Sequence, residues 1–217
     1  MSSRDEMLAR IRGAIGDAPR PDVDQAYREL PRPYLRAHHD GDIVALFAER
    51  AADYRAVVER LPEGELPATV ARVLAGRARE SQRKSGFVIP AGFPQKWLSQ
   101  LTGDVALVHD DPQLSATQLD QLAGVVTGCA VAIAETGTIV LDHGPAQGRR
   151  ALTLVPDFHL VIVRADQVAA DLPDSFGRLD PARPQTLISG PSATSDIELI
   201  RVEGVHGPRT LHILLAG

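Results

Sequence analysis

TLISGPSATSDIELIRVEGVHGPRTLHILLAG, residues 186–217, reads as strand, loop, helix, turn and strand. Residues 186–189 form a short apolar run that Gly190 and Pro191 break. Ser192, Thr194 and Ser195 are helix starters, because their hydroxyls accept hydrogen bonds from the unpaired N–H groups of a first helical turn. Asp196 and Glu198 follow, where the partial positive charge of a helix start favours carboxylates. Ile197 and Ile200 share one helical face, Gly204 suits a C-cap, and Gly207-Pro208 ends the segment. Residues 211–215 have the continuous apolar character of a buried strand. The pattern predicts a βαβ unit whose polar loop lies at the carboxyl end of its first strand, the usual ligand position in open α/β sheets.

Upstream, residues 3–15 place Met7, Leu8, Ile11 and Ile15 along one side of an amphipathic helix that is too short to be stable alone. Residues 16–40 contain Pro19, Pro21, Pro31 and Pro33 and read as an extended connector. A long helix is expected from Asp40 or Asp42 to Leu61, because Ile43, Phe47, Tyr54, Val58 and Leu61 recur at helical spacing. A second, basic at its end, is expected from about Pro67 to Lys84.

From Gly86 onward short apolar runs alternate with turns, which predicts strands at 87–89, 105–109, 129–135, 138–142, 151–155 and 158–164. Ser115 and Gln118 have the spacing of a capping box, and a further helix is expected over 166–172. The middle strands stand too close together for crossover helices and are read as hairpins. The expected fold class is α/β: a mixed, largely parallel sheet flanked by helices, with inserted antiparallel hairpins and an N-terminal helical extension. The expected division is residues 1–64, helices and Pro-rich connector, and residues 65–217, the α/β domain.

Composition narrows the function. A net charge of −5 argues against a general nucleic-acid binder, which needs a basic field to displace counterions. No apolar run has the length of a membrane span, and the N-terminus lacks the apolar core of a secretory signal, so a cytoplasmic protein is expected. Cys129 is the single cysteine; it follows Gly128, opens an apolar run and is expected to be a buried, inert thiol. One thiol cannot hold an iron–sulfur cluster or a structural zinc.

Several residue groups are suited to chemistry. Glu135-Thr136-Gly137-Thr138 joins two apolar runs, and a partly desolvated Glu135 would be a better base or nucleophile. The alternative is a hairpin-tip glutamate, solvated or paired with an arginine. Arg149 and Arg150 precede an apolar run; either would clamp a carboxylate or phosphate bidentately, or else pair internally with Glu135, Asp142 or Asp157. Asp157 and His159 are two apart on a strand, where the carboxylate would fix the imidazole tautomer for proton transfer. His206 and His143 sit in similar Gly-Pro turns, where a structural hydrogen bond is the ordinary role. Ser189, Gly190, Pro191, Ser192 and Thr194 form the best anion-binding loop if a helix starts beyond them. His206, Asp196 and Glu198 match no metal motif, so no metal is expected. No glycine-rich nucleotide fingerprint follows any expected strand, so no cofactor is expected either.

SGPSATSDIE, GVHGP and LHILL at the end of the chain, with AIAETGTIVL (132–141) and GRRALTLVPDFH (148–159), resemble the lactate-utilisation protein C family, the LUD-domain proteins. The motifs occupy the last third to half of the chain, and the layout fits from about Ser81 onward. The resemblance implies the fold of sugar-phosphate isomerases and CoA transferases and a role in lactate oxidation. It implies a non-redox subunit whose partners are the iron–sulfur chains of a lactate-oxidising system. A small anionic ligand is then expected at the loop and arginines named above. CoA transferases of this fold use a glutamate that forms an acyl thioester, so a free-standing isomerase or CoA-transferase-like enzyme using Glu135 is the alternative. A ligand-sensing or interaction module whose N-terminal helices dock on a partner is the third reading, and the amphipathic N-terminal helix also makes a homo-oligomer an open expectation.

Overall fold

The computed structural model describes residues 2–16, 22–32, 39, 41–81, 86–194, 202–203 and 206–217. The chain forms two compact units, Met1–Leu35 and Arg36–Gly217. The first contains α1 (Ser3–Ile15) and α2 (Val23–Glu29). Ser2 and Asp5 close a reciprocal capping box at the start of α1, and Asp22 caps α2. Neither helix buries a residue, and Met7, Ile11 and Ile15 are all exposed.

The second unit begins with α3 (Ile43–Asp53), β1 (Val57–Leu61), α4 (Leu66–Glu80), β2 (Phe87–Ile89) and β3 (Leu107–His109). It continues with α5 (Ala116–Asp120), β4 (Gly124–Thr127), β5 (Val131–Ile133), β6 (Thr138–Leu141), β7 (Phe158–Arg164) and β8 (Val168–Ala169). It closes with α6 (Leu172–Gly177), β9 (Thr186–Ile188), β10 (Ala193–Thr194), β11 (Val202–Glu203) and β12 (Thr210–Ala216). Six strands form a parallel sheet in the order β1-β12-β7-β4-β2-β3. A smaller mixed sheet has the order β8-β5-β6-β9, in which β5 and β6 form the expected antiparallel hairpin.

Alternation along β7 assigns the two faces of the large sheet. Phe158, Leu160 and Ile162 point to one core with Leu66, Val70 and Leu74 of α4. Val161 and Val163 point to the other, with Phe47 and Ala51 of α3 and with Ala132, Ile139 and Leu141 of the small sheet. A parallel sheet covered on both faces explains why its central strands read as uninterrupted apolar runs.

Three expected elements differ in the structure. The helix expected to reach Leu61 ends at Asp53; Arg55 takes a left-handed φ of 69°, and residues 57–61 pair with β12. Valine-rich residues at helical spacing also suit a strand, and the free edge of β12 decides between them. Because α3 and β1 join the main core, the units divide at residue 35 rather than at 64. Residues 151–155 lie in and just after a 3-10 turn, Arg150–Thr153, which tucks Leu152 beneath Gly148. Within 166–172, Val168 and Ala169 extend the small sheet, and Pro173 lies in the first turn of α6 rather than beyond a helix end.

The closing βαβ unit is also different. β9 pairs antiparallel with β6 in the small sheet, whereas β12 lies in the large one. Ala193–Thr194 pair with Val202–Glu203 as a short antiparallel ladder where the ends of a helix were expected. Ser195, Asp196, Ile197, Glu198, Ile200 and Gly204 lie outside the described residues.

Two glycines seat the small sheet against α3. A Cβ on Gly137 (φ 59°) would stand 2.5 Å from the Ala51 nitrogen, and one on Gly190 (φ 82°) 2.5 Å from the Tyr54 carbonyl oxygen. Gly137→Ala and Gly190→Ala are each expected to cost about 3 kcal/mol of stability, from the contact and the positive φ together. Gly64→Ala, with nothing within 4 Å of its added carbon, is expected to be near neutral. Urea unfolding midpoints at unchanged m-value measure all three.

Candidate functional site

A cleft of about 250 Å³ opens between the two sheets. Its floor includes His159 and Leu211, which are register partners at the starts of β7 and β12. The cleft therefore lies at the amino-terminal rim of the parallel sheet, opposite to the expected carboxyl-end position. The second sheet accounts for the inversion: β9 runs in along β6 and delivers residues 189–193 over that rim.

The walls come from three segments. Arg150, Thr153 and Leu154 belong to the 3-10 turn and its end; residues 186–193 form β9 and the loop beyond it; His206, Gly207 and Pro208 form the turn before β12. The loop and the turn are tied together, because the Ser192 N–H donates to the Pro208 carbonyl at 2.9 Å and the His206 N–H donates to Ser192 Oγ at 3.1 Å. Hydroxyls connect the ETGT turn to the same place: Thr136 Oγ1 donates to Thr138 Oγ1 at 2.8 Å, and Thr138 Oγ1 lies 2.7 Å from Ser189 Oγ. The structure thus gathers Arg150, His159, Ser189, Gly190, Pro191, Ser192 and His206, with Thr138 just behind Ser189. Thr136 and Gly137 support the turn, and Asp196 lies outside the described residues.

The two arginines part company. Arg149 is braced on Asp110 by two hydrogen bonds, Nε to Oδ2 at 2.7 Å and Nη2 to Oδ1 at 2.9 Å, and also donates to the Leu114 carbonyl. These bonds hold the Asp110 carboxyl below the usual carboxylate range, and Arg149 ties β3 to α5 rather than reaching the cleft. Arg150 donates to Thr186 Oγ1 at 2.8 Å and has no carboxylate at ion-pair distance among the described residues. His143 extends this contact: its Nδ1 donates to the Gly148 carbonyl at 2.8 Å, and its Nε2 lies 3.0 Å from Thr186 Oγ1, the hydroxyl that accepts from Arg150. Thr186 was legible only as the start of an apolar strand.

His159 does not pair with Asp157. Its Nε2 lies 2.8 Å from Thr127 Oγ1 in β4, and its Nδ1 is buried without a partner. Asp157 lies 3.9 Å from Arg209. Burial pushes the His159 imidazole down to about 3, so the ring is neutral. Thr127 escaped the sequence reading; its one signal was a hydroxyl ending the apolar run 124–127. Glu135 is exposed at the β5–β6 turn and does not line the cleft, so it lacks the expected desolvation. Cys129 is buried, and burial pushes its thiol up to about 12. Among the described residues no group of three His, Cys, Asp or Glu side chains is placed to hold a metal ion.

Two outcomes are expected. Cys129 in the native protein should react with a soluble thiol reagent at pH 8 on the order of a hundredfold or more slower than in the unfolded chain, read by absorbance. His159 should make stability fall with acid: between its ordinary value of 6.5 and its folded value of about 3, the unfolded chain binds more protons. The contribution is complete above about pH 6.5 and is lost toward pH 3, at up to about 1.4 kcal/mol per pH unit. His159→Phe should flatten that slope in unfolding free energies measured from pH 4 to 7.

Comparison with known proteins fits this architecture. The LUD domain matches residues 109–216, which carry the cleft and both strands of its floor. A lactate utilization protein C from Deinococcus radiodurans is 44% identical over 216 residues, covering 98% of this chain and 94% of that protein. One of the same name from Geobacillus kaustophilus is 27% identical over 228 residues, covering 95% and 92%. The crystal structure of a DUF162-family protein from D. radiodurans superposes with a TM-score of 0.66 at 40% identity, covering 85% of this chain and all of that one. The chain belongs to the LUD-domain family, alongside the lactate utilization protein C proteins.

Proposed function

We propose that this chain serves lactate utilization as a non-redox subunit that holds a small carboxylate or phosphate in the cleft between its sheets. The observation that carries the ligand reading is a charge imbalance. The described lining includes Arg150, His159, His206 and several hydroxyls, and no aspartate or glutamate. Arg149, Arg164, Arg178 and Arg183 all have carboxylate partners, while Arg150 has none among the described residues and so has donors to offer an anion. The anion reading does not need a helix start at Ser192; arginine, hydroxyls and loop amides serve instead.

The name carried by its relatives, lactate utilization protein C, supports the lactate role. Oxidation of lactate releases two electrons, and a chain with one buried thiol has no cysteine cage to carry them. In this reading, as the family resemblance implies, the redox centres lie on iron–sulfur partner chains. The CoA-transferase-like alternative is not favoured, because Glu135 stands in solvent away from the cleft.

Calorimetric titration of the full chain with L-lactate, pyruvate and inorganic phosphate tests the ligand reading. At least one is expected to bind, and Arg150→Gln is expected to weaken it by tenfold or more. Equal affinity in the variant, or no binding by any of the three, would sink the anion site. Mass spectrometry of the protein purified from cells grown on lactate tests the subunit reading, which expects stoichiometric chains bearing iron–sulfur clusters. An acyl adduct on Glu135 after incubation with acyl-CoA would instead revive the transferase.

A further inference from the structure

The buried side-chain atoms without a hydrogen-bond partner among the described residues are His39 Nε2, Arg77 Nε, Trp97 Nε1 and His159 Nδ1. Of these residues, only His159 lines the carboxylate-free cleft. It is 1% exposed, and its other ring nitrogen is already taken by Thr127. A buried polar atom left unpaired on a residue that lines a cleft costs stability unless something that enters the cleft satisfies it.

The direction of the Thr127 contact fixes what that something offers. Thr127 is fully buried, its Oγ1 lies 2.8 Å from His159 Nε2, and no other acceptor for that hydroxyl is found among the described residues. A buried hydroxyl gives its proton to the acceptor within reach, so Thr127 Oγ1 donates to Nε2. A neutral imidazole with an accepting Nε2 carries its one proton on Nδ1. His159, a lining residue of the cleft, therefore carries an uncharged N–H donor. Arg150, on the 3-10 turn that supplies another part of the same lining, carries a charged one.

We propose that the ligand is an acid with two unlike oxygens: a carboxylate held by Arg150, and a separate oxo or hydroxyl oxygen that accepts the Nδ1–H bond of His159. His159 is then the residue that tells an oxo- or hydroxy-acid from the plain acid of the same length. This rests on the anion reading of the cleft and adds the second contact. Buried donors of this kind discriminate strongly, because an analogue lacking the matching oxygen leaves the donor unpaired. The cleft, at about 250 Å³, suits a molecule below drug size.

The test compares pyruvate, L-lactate and propanoate, which share a three-carbon carboxylate and differ in the second oxygen. Calorimetry on the full chain at pH 7.5 is expected to show pyruvate or lactate binding at least tenfold more tightly than propanoate. His159→Phe is expected to bring the three within about twofold of one another, whereas Arg150→Gln weakens all of them. Imidazole 15N spectra of the unaltered protein provide a readout that does not depend on the variant folding. They are expected to show the His159 proton on Nδ1, and that nitrogen's resonance is expected to move with pyruvate but not with propanoate.

Propanoate binding as tightly as pyruvate, with both weakened by Arg150→Gln, would overturn the second contact and leave the anion site standing. A proton found on Nε2 would overturn the donor assignment. Failure of every acid to bind would overturn the anion site itself, and the second contact with it.

Discussion

The carboxyl end of α3 is the surface on which the small sheet is hung. The backbone of Arg50 and Ala51 meets Gly137 at the tip of the β5–β6 hairpin, and the Tyr54 carbonyl meets Gly190 just after β9, both at distances that leave no room for a Cβ. The two glycines fasten the two ends of one hydroxyl chain, Thr136-Thr138-Ser189, to a single helix end. With that anchorage the loop after β9 reaches the rim of the parallel sheet and a cleft forms. If the hairpin shifted by the radius of one carbon atom, Ser189 and the amides around it would leave their places above His159 and Arg150.

The cleft then follows from ordinary sheet geometry. β7 is buried on both faces, so a polar side chain on it must be satisfied locally, and His159 reaches across to Thr127 on the neighbouring strand. Among the described residues Arg150 has no carboxylate partner, while two other carboxylates are committed elsewhere: Asp110 to Arg149, and Asp142 to Arg183 and Gln147. The consecutive arginines are thus chemically distinct, one a brace between β3 and α5 and the other a charge held at the edge of an opening.

Local signals were legible where a short-range rule had no competitor. The Ser115–Gln118 capping box, the Asp42 cap of α3 and the apolar runs of β2, β6 and β7 all stand as the sequence implies. The errors arose where distant pairing chose between two locally acceptable structures. Residues 57–61 suit helix or strand until β12 offers an edge, and residues 186–188 read as one arm of a βαβ unit until β6 claims them. Among the site residues, Arg150, His159, Ser192 and His206 were visible as chemistry, but their convergence was not. It requires segments 47 residues apart, from His159 to His206, to meet through the parallel register of β7 and β12. Glu135 shows the converse: an apolar run ahead of a carboxylate implies burial, yet a hairpin tip ends in solvent.

The sealing of Cys129 has a use beyond the native molecule. With its one thiol shut inside the core, the protein already has the background that labelling chemistry normally requires mutation to create. A cysteine introduced at Leu187, an exposed residue on the cleft wall, would be the sole reactive sulfur on the surface. A fluorophore or spin label placed there would report occupancy of the cleft in an otherwise unaltered chain.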